Sequence, residues 1–258
     1  MIAEIVSRVR GRAPLVHCLS ATVSMGIVAD GLLSAGARPM MTETAEEAPT
    51  LVRLADALLV NLGTLSTDGL AGIPPTVEAC QVPWVLDPAA VGPTRVRRDL
   101  AFSLLHRGPS VVRANASEVL VLAGGGPGGR GPDATDATDA AVEAALSLAA
   151  DTGSVVAVSG ATDQLVSPAG DRVALANGSP LLPLVVGTGC LLGALTAACC
   201  AVAEPWEAAI SATSWLNVAA ERAASEARGP ASFRLRLIDE LHCIQPEHIE
   251  EGTRFIWI

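Results

Sequence analysis

Apolar positions along this chain follow two alternating patterns. Short, largely apolar runs occur at Leu15–Cys18, Arg38–Met41, Ala57–Asn61, Trp84–Asp87, Ser110–Arg113 and Val155–Ser159. Continuous rather than every-other-residue apolarity suits strands covered on both faces. Between these runs lie longer segments with helical spacing, Thr22–Ser34, Ala45–Leu54, Leu70–Cys80 and Arg95–His106, and Ala116–Ala123 also reads as helix. Strand and helix in alternation predict a parallel sheet with crossover helices, packed as a three-layer α/β/α sandwich. After Ser159, the runs Gln164–Ser167 and Arg172–Ala176 flank Pro168-Ala169-Gly170-Asp171 and predict a hairpin. Beyond it the chain turns helical, in three alanine-rich segments with broad apolar faces, Leu191–Val202, Pro205–Ala227 and Phe233–His242.

Two segments interrupt this order. Gly124-Gly125-Gly126-Pro127-Gly128-Gly129-Arg130-Gly131-Pro132 cannot hold a regular element, because glycine loses the most entropy on ordering and proline removes a donor. It reads as a plain loop and not a phosphate cradle, since a helix precedes it and no Lys-Ser or Lys-Thr follows. The repeat Asp133-Ala134-Thr135-Asp136-Ala137-Thr138-Asp139-Ala140 leads into a helix over Ala140–Ala150 and places carboxylates suited to its N-terminus. The last residues, Phe255-Ile256-Trp257-Ile258, are too apolar to stay in water and are expected to dock, on a surface the sequence does not specify.

Composition narrows the class. The chain has 258 residues, half of them apolar and 17% charged, which suits a single domain over 1–258 with a heavily buried interior. No apolar run reaches the roughly 18 residues of a membrane span, and the opening Met1-Ile2-Ala3-Glu4-Ile5-Val6 lacks the order of a secretory signal. No membrane association and a cytoplasmic location are expected. The net charge is −10 and the basic residues are scattered, so nucleic acid is not an expected partner. Cys18, Cys80, Cys190, Cys199, Cys200 and Cys243 show no Cys-x-x-Cys spacing. Apart from Cys190 they read as buried thiols, not as a zinc site or disulfide framework.

The strongest local signal is Gly187-Thr188-Gly189-Cys190, which follows the apolar segment Leu181–Val186 and opens a helix without charge until Glu204. Two glycines at a helix start let backbone N–H groups converge, and the helix dipole adds partial positive charge. This predicts an anion site, with Cys190 favoured as thiolate; a turn that merely packs a helix tightly is the alternative. Asp87 and Arg113 fall at strand ends, where crevices of parallel sheets form. Taken alone, Asp87 could be a turn residue before Pro88, Arg113 and Glu118 a surface ion pair, Met41 a core filler and Ser159 a strand end. His17, beside Leu15 and Val16, suits a hydrogen-bonded structural role.

The order of motifs goes further. Val16-His17 is followed by Leu32-Leu33-Ser34-Ala35-Gly36-Ala37-Arg38-Pro39-Met40-Met41, Glu46-Glu47, Asn61-Leu62-Gly63-Thr64-Leu65-Ser66 and Leu86-Asp87-Pro88. Arg113-Ala114-Asn115-Ala116-Ser117-Glu118, Gly131-Pro132-Asp133, Asn177-Gly178, the Gly187–Cys190 turn and Gly229-Pro230-Ala231-Ser232-Phe233 complete the series. From about residue 13 to residue 240 this succession resembles the hydroxyethylthiazole kinase family of the ribokinase-like superfamily. The resemblance implies transfer of the ATP γ-phosphoryl group to the primary alcohol of 5-(2-hydroxyethyl)-4-methylthiazole with Mg2+, in thiamin salvage, by a homotrimer with pockets at its interfaces. It places Cys190 where the wider superfamily has an aspartate base, beside a phosphate turn of Gly187, Thr188 and Gly189. Met41 and Gly187 match substrate-contacting positions, and Arg113 and Ser159 match ATP-contacting ones. Asp87 and Glu118 match acidic positions that hold the magnesium and phosphate network, in part through water. Three departures surround the acceptor pocket: Ala21 replaces an asparagine, Pro183-Leu184-Val185-Val186 is wholly apolar, and Ala89-Ala90 replaces a Val-Gly pair. They leave open a kinase for another small heteroaromatic alcohol, or a weakly active thiazole- or nucleotide-binding homologue.

Overall fold

The computed structural model describes residues 1–124 and 138–257. The glycine-rich loop from residue 125, the aspartate repeat up to residue 137 and Ile258 lie outside the described residues. Within them, α1 (Ile2–Arg12), β1 (Leu15–Leu19), α2 (Met25–Ser34), β2 (Arg38–Met40), α3 (Ala48–Leu51), β3 (Ala57–Asn61) and α4 (Thr67–Ala79) open the fold. They are followed by β4 (Trp84–Asp87), α5 (Arg95–Leu105), β5 (Val111–Asn115), α6 (Ala116–Leu122), α7 (Thr138–Thr152) and β6 (Val155–Ser159). The hairpin strands are β7 (Asp163–Val166) and β8 (Arg172–Leu175), and the last third holds α8 (Thr188–Cys200), α9 (Pro205–Glu226), α10 (Pro230–Cys243), α11 (Pro246–Gly252) and β9 (Phe255–Trp257).

Among the described residues the strands form one sheet in the order β2-β1-β3-β4-β5-β6-β7-β8-β9. The pairs from β2 to β6 are parallel and those from β6 to β9 antiparallel. Helices cover both faces, as the continuous apolar strands require. Val16, Leu59, Val85 and Val111 pack toward α1, α2, α8, α9 and α10, while Leu58, Val60, Leu86 and Val112 pack toward α4, α5, α6 and α7. The alternation of strand side chains therefore carries Asn61, Asp87, Arg113 and Ser159 to the same face as α8.

Helix α8 lies tightly on that face. Leu191–Cys200 is buried at every position, and a Cβ added at Gly193 would meet Leu59 Cδ1 at 3.0 Å and Asp87 Oδ2 at 3.6 Å. Elements differ from expectation mainly at their ends. The helix expected over Thr22–Ser34 begins as a 3-10 turn at Thr22–Ser24, and α4 starts three residues early because the Ser66 hydroxyl caps it, accepting from the Gly69 N–H at 2.8 Å. Helices α1 and α11 and strand β9 are additions to the sequence reading. The apolar C-terminus docks as an edge strand, with Leu175 opposite Phe255 and Val173 opposite Trp257.

The turn after β4 contains a strained position. Ala90 sits at φ +59°, in the left-handed region that costs a residue with a Cβ about 1–2 kcal/mol. The conformation aims its N–H at Glu118 Oε1, 2.9 Å away. Where the resembling family has glycine, no such strain arises. Ala90→Gly should therefore stabilise the protein by about 0.5–1 kcal/mol after the entropic cost of glycine. Calorimetry should show the melting midpoint rising by about 1–4 °C.

Candidate active site

Four strands end at one place. Asn61 and Asp87 are opposite each other in the β3–β4 register, and the Asn61 Nδ2 donates to Asp87 Oδ2 at 2.7 Å. Arg113 Nη1 reaches the same oxygen at 3.5 Å, and its Nη2 donates to the Ser159 hydroxyl at 2.9 Å. The pair is nearly enclosed, with side chains 14% and 1% exposed. Such a pair is maintained against the cost of desolvating both charges, so its geometry is tightly constrained.

The first turn of α8 closes over this group. Gly187 has φ +93°, and a Cβ there would meet Ile27 Cγ2 at 2.6 Å and Ser24 Cβ at 2.8 Å. Glycine is required both for the conformation and for the close approach. A Cβ at Gly189 would lie 2.7 Å from Arg113 Nη1 and 2.9 Å from Nη2, so that glycine admits the guanidinium beneath the helix start. The Thr188 hydroxyl turns away, donating to the Leu182 and Val185 carbonyls at 2.9 and 3.3 Å; only its backbone N–H is left to face a ligand. Amides at a helix start beside a guanidinium form a site for an anion with several oxygens.

Cys190 follows in the same turn, and Asn61 Nδ2 donates to its sulfur at 3.3 Å. The expected thiolate is corrected here: burial, and then the negative Asp87, push the thiol up, against smaller opposing effects from Ser24, Arg113 and Asn61. The helix start acts over one turn, whereas burial and a carboxylate act on the sulfur directly. Asp87 itself is raised by burial, opposed by Arg113, Asn61 and the Ala89 backbone. Glu118 is pushed up to about 7, first by burial and then by Asp87. Its two oxygens accept from the Ala90 and Asn115 N–H groups, each at 2.9 Å, and Asn115 Oδ1 accepts from the Glu118 N–H in return, a capping box for α6.

Three of the candidate residues share one buried network. Asp87 is a buried ion-pair partner, Arg113 pairs with Asp87 and not with Glu118 at the surface, and Ser159 orients Arg113. Met41 stands apart: it follows the edge strand β2, three strand spacings or about 14 Å from β4, and packs half-buried against the core. His17 is buried, with Nε2 at 2.9 Å from the Thr42 carbonyl and 3.0 Å from its hydroxyl, in the structural role expected. Asn61 had no assigned role in the sequence reading; its motif was visible, but its partners lie on β4 and α8.

The acidic pair fits magnesium. Asp87 Oδ1 is buried without a hydrogen-bond partner, and Asp87 and Glu118 repel one another across the site. Magnesium commonly takes one or two carboxylates together with substrate phosphates and waters. Among the described residues no three His, Cys, Asp or Glu side chains converge as a closed cage, which suits an ion held jointly with nucleotide phosphates.

The buried Glu118 has a consequence for stability. Its folded pKa of about 7 lies above the ordinary 4.5, so the folded state holds the proton more tightly and stability from this group falls as pH rises from 4.5 to about 7. The amount is on the order of 3 kcal/mol. His17, lowered by burial, works in the opposite direction in this window. Urea unfolding of the magnesium- and nucleotide-free protein between pH 5 and 8 should therefore separate the two through Glu118→Gln. The variant should lose the Glu118 decline with pH and be less stable at low pH by about 1–2 kcal/mol, because one amide loses its acceptor.

Comparison with known proteins agrees with this geometry. A model of the Hydroxyethylthiazole kinase family matches residues 6–247. The chain is 42% identical to a hydroxyethylthiazole kinase of Cereibacter sphaeroides, covering 95% of this chain and 94% of the relative. It is 46% identical to one of Kineococcus radiotolerans, covering 92% and 88%. A solved hydroxyethylthiazole kinase structure from Pyrococcus horikoshii OT3 superposes with a TM-score of 0.90 at 35% identity, covering 100% of this chain and 98% of that one. A Staphylococcus aureus pyridoxal kinase shares the fold at 19% identity, TM-score 0.63, over 80% and 86% of the two chains. These matches show that the chain belongs to the hydroxyethylthiazole kinase family.

Proposed function

We propose that this chain transfers the γ-phosphoryl group of ATP to the hydroxyl of 5-(2-hydroxyethyl)-4-methylthiazole, a reaction of thiamin salvage. The observation that carries the reading is the glycine turn Gly187–Cys190 closing over the buried Arg113–Asp87 pair. Phosphoryl transfer asks for in-line positioning and for positive charge around the equatorial oxygens. The amides of Thr188, Gly189 and Cys190 and the Arg113 guanidinium supply that charge, and Ser159 holds Arg113 in place. Asp87 and Glu118 would hold Mg2+, which would supply positive charge to the transferring phosphate. Gly187 borders the acceptor, Met41 is assigned to it by the family resemblance alone, and Cys190, a neutral thiol, positions the reacting hydroxyl without acting as a strong base.

A coupled assay of ADP release tests the reading. Turnover is expected with ATP, Mg2+ and the thiazole alcohol. Turnover with another small alcohol and none with the thiazole alcohol would overturn the substrate, and binding without turnover would overturn the reaction. Arg113→Ala should lower kcat by about 10²–10³-fold, the range for removal of a group that stabilises transition-state charge.

The functional unit in this reading is a homotrimer in the cytoplasm, with one catalytic domain per chain. Val23, Leu184 and Val186 are 70%, 62% and 66% exposed and flank Ser24 and Gly187, an apolar rim that another subunit would cover. Light scattering should give about three times the 26.2 kDa chain mass; a monomer would overturn the assembly.

A further inference from the structure

Asn61 ends β3 and is 3% exposed. Its carboxamide orientation follows from its partners: the Gly63 N–H, 2.9 Å away, needs an acceptor, and the Asp87 carboxylate needs a donor. The Nδ2 group then has two hydrogens and two targets, Asp87 Oδ2 at 2.7 Å and Cys190 Sγ at 3.3 Å. Both hydrogens are used within the protein, so none is left to bind substrate. Asn61 acts through its neighbours.

We propose that Asn61 is a positioning residue for phosphoryl transfer, its one NH2 group fixing the Cys190 sulfur against the Asp87 carboxylate under the first turn of α8. Asparagine is the residue type the geometry demands. Aspartate would face Asp87 with a second carboxylate at 2.7 Å, and leucine would present no donor to either partner. Glutamine would need room for a methylene where Gly63 is already crowded: a Cβ there would lie 2.9 Å from Asn61 Oδ1 and 3.0 Å from Ala21 Cβ. Without the amide, Asp87 Oδ2 retains Arg113 at 3.5 Å, Asp87 Oδ1 still has no partner, and the sulfur keeps the Ser24 side chain but loses the donor that ties it to Asp87. A shift of about 1 Å in such a group can cost about 10²-fold in rate.

The proposal rests on the kinase reading but not on the identity of the acceptor. Asn61→Ala, Asn61→Leu, Cys190→Ala and the double variant Asn61→Ala/Cys190→Ala should be compared with the unaltered enzyme, using the thiazole alcohol or whichever alcohol that enzyme turns over. Each Asn61 variant is expected to lower kcat by about 10–100-fold with KM for ATP and alcohol within about 3-fold. The double variant should fall within about 5-fold of the worse single variant, because the two residues act as one unit. An unchanged kcat, a raised KM with kcat unchanged, or a double effect equal to the product of the single effects would overturn the proposal while leaving the kinase reading intact. Melting curves keep the test decisive: if Asn61→Leu does not fold, Asn61→Ala and the milder Asn61→Ser are read, and loss of folding in all three would make the residue purely structural and overturn the proposal. An unaltered enzyme that turns over no alcohol would overturn both.

Discussion

The buried pair of Arg113 and Asp87 is the constraint around which the site is arranged. One guanidinium lies within the field of three buried carboxylates, Asp87, Glu118 and Asp163, and of the Cys190 sulfur. Burial raises all three acids, and each is held by hydrogen bonds: Asn61 to Asp87, the Ala90 and Asn115 amides to Glu118, and Asn217 Nδ2 and the Gly160 N–H to Asp163 at 2.6 and 3.0 Å. Apolar replacements would be easier to bury. An interior with more acid than base is stable only with some acids protonated or with an added cation. In the proposed reading, magnesium arriving with the nucleotide would be that cation.

This arrangement depends on missing side-chain atoms. Gly189 and Gly193, four residues apart, face the sheet from α8, where a Cβ would press on Arg113 or on Leu59, while a Cβ at the N-cap Gly187 would press on Ser24 and Ile27. At Gly31 a Cβ would overlap the Leu191 side chain, so α2 packs equally close to α8. The helix start is brought to the guanidinium by packing along much of its length. Clamps act on the loops: Arg97 donates to the Gly63 carbonyl at 3.0 Å and to the Ala89 carbonyl at 3.4 Å, joining the turns that follow β3 and β4.

Much of the parallel half was legible because its signals are local. The runs Ala57–Asn61, Trp84–Asp87 and Val155–Ser159 have the boundaries expected, each ending in a polar residue where the strand leaves the sheet. Strand β9 was not legible as a strand, because it pairs with β8 from about 80 residues away and is only three residues long. In α1, the helical spacing of Ile2, Ile5, Val6 and Val9 is a local signal sufficient to place the helix. Asp87 and Ser159 were recognisable as strand-end residues, whereas Arg113, expected at a strand end, stands two residues before the end of β5. Asn61 required the β3–β4 register and the docking of α8, and neither is written in its neighbours.

Cys190 shows how a local rule yields to its surroundings. A helix start favours a thiolate by a fraction of a charge, while burial and the Asp87 carboxylate disfavour it more strongly. For acyl transfer by a cysteine nucleophile this would be a poor arrangement. In phosphoryl transfer the metaphosphate-like transition state leaves bonding to the incoming oxygen weak, and the acceptor proton can depart late. The charge to be stabilised then lies on the phosphoryl oxygens, which in the proposed reading meet Arg113 and the α8 amides. A full thiolate beside Asp87 would repel that charge, so a neutral sulfur held by an amide suits the site better than the strong base its position in the helix suggests.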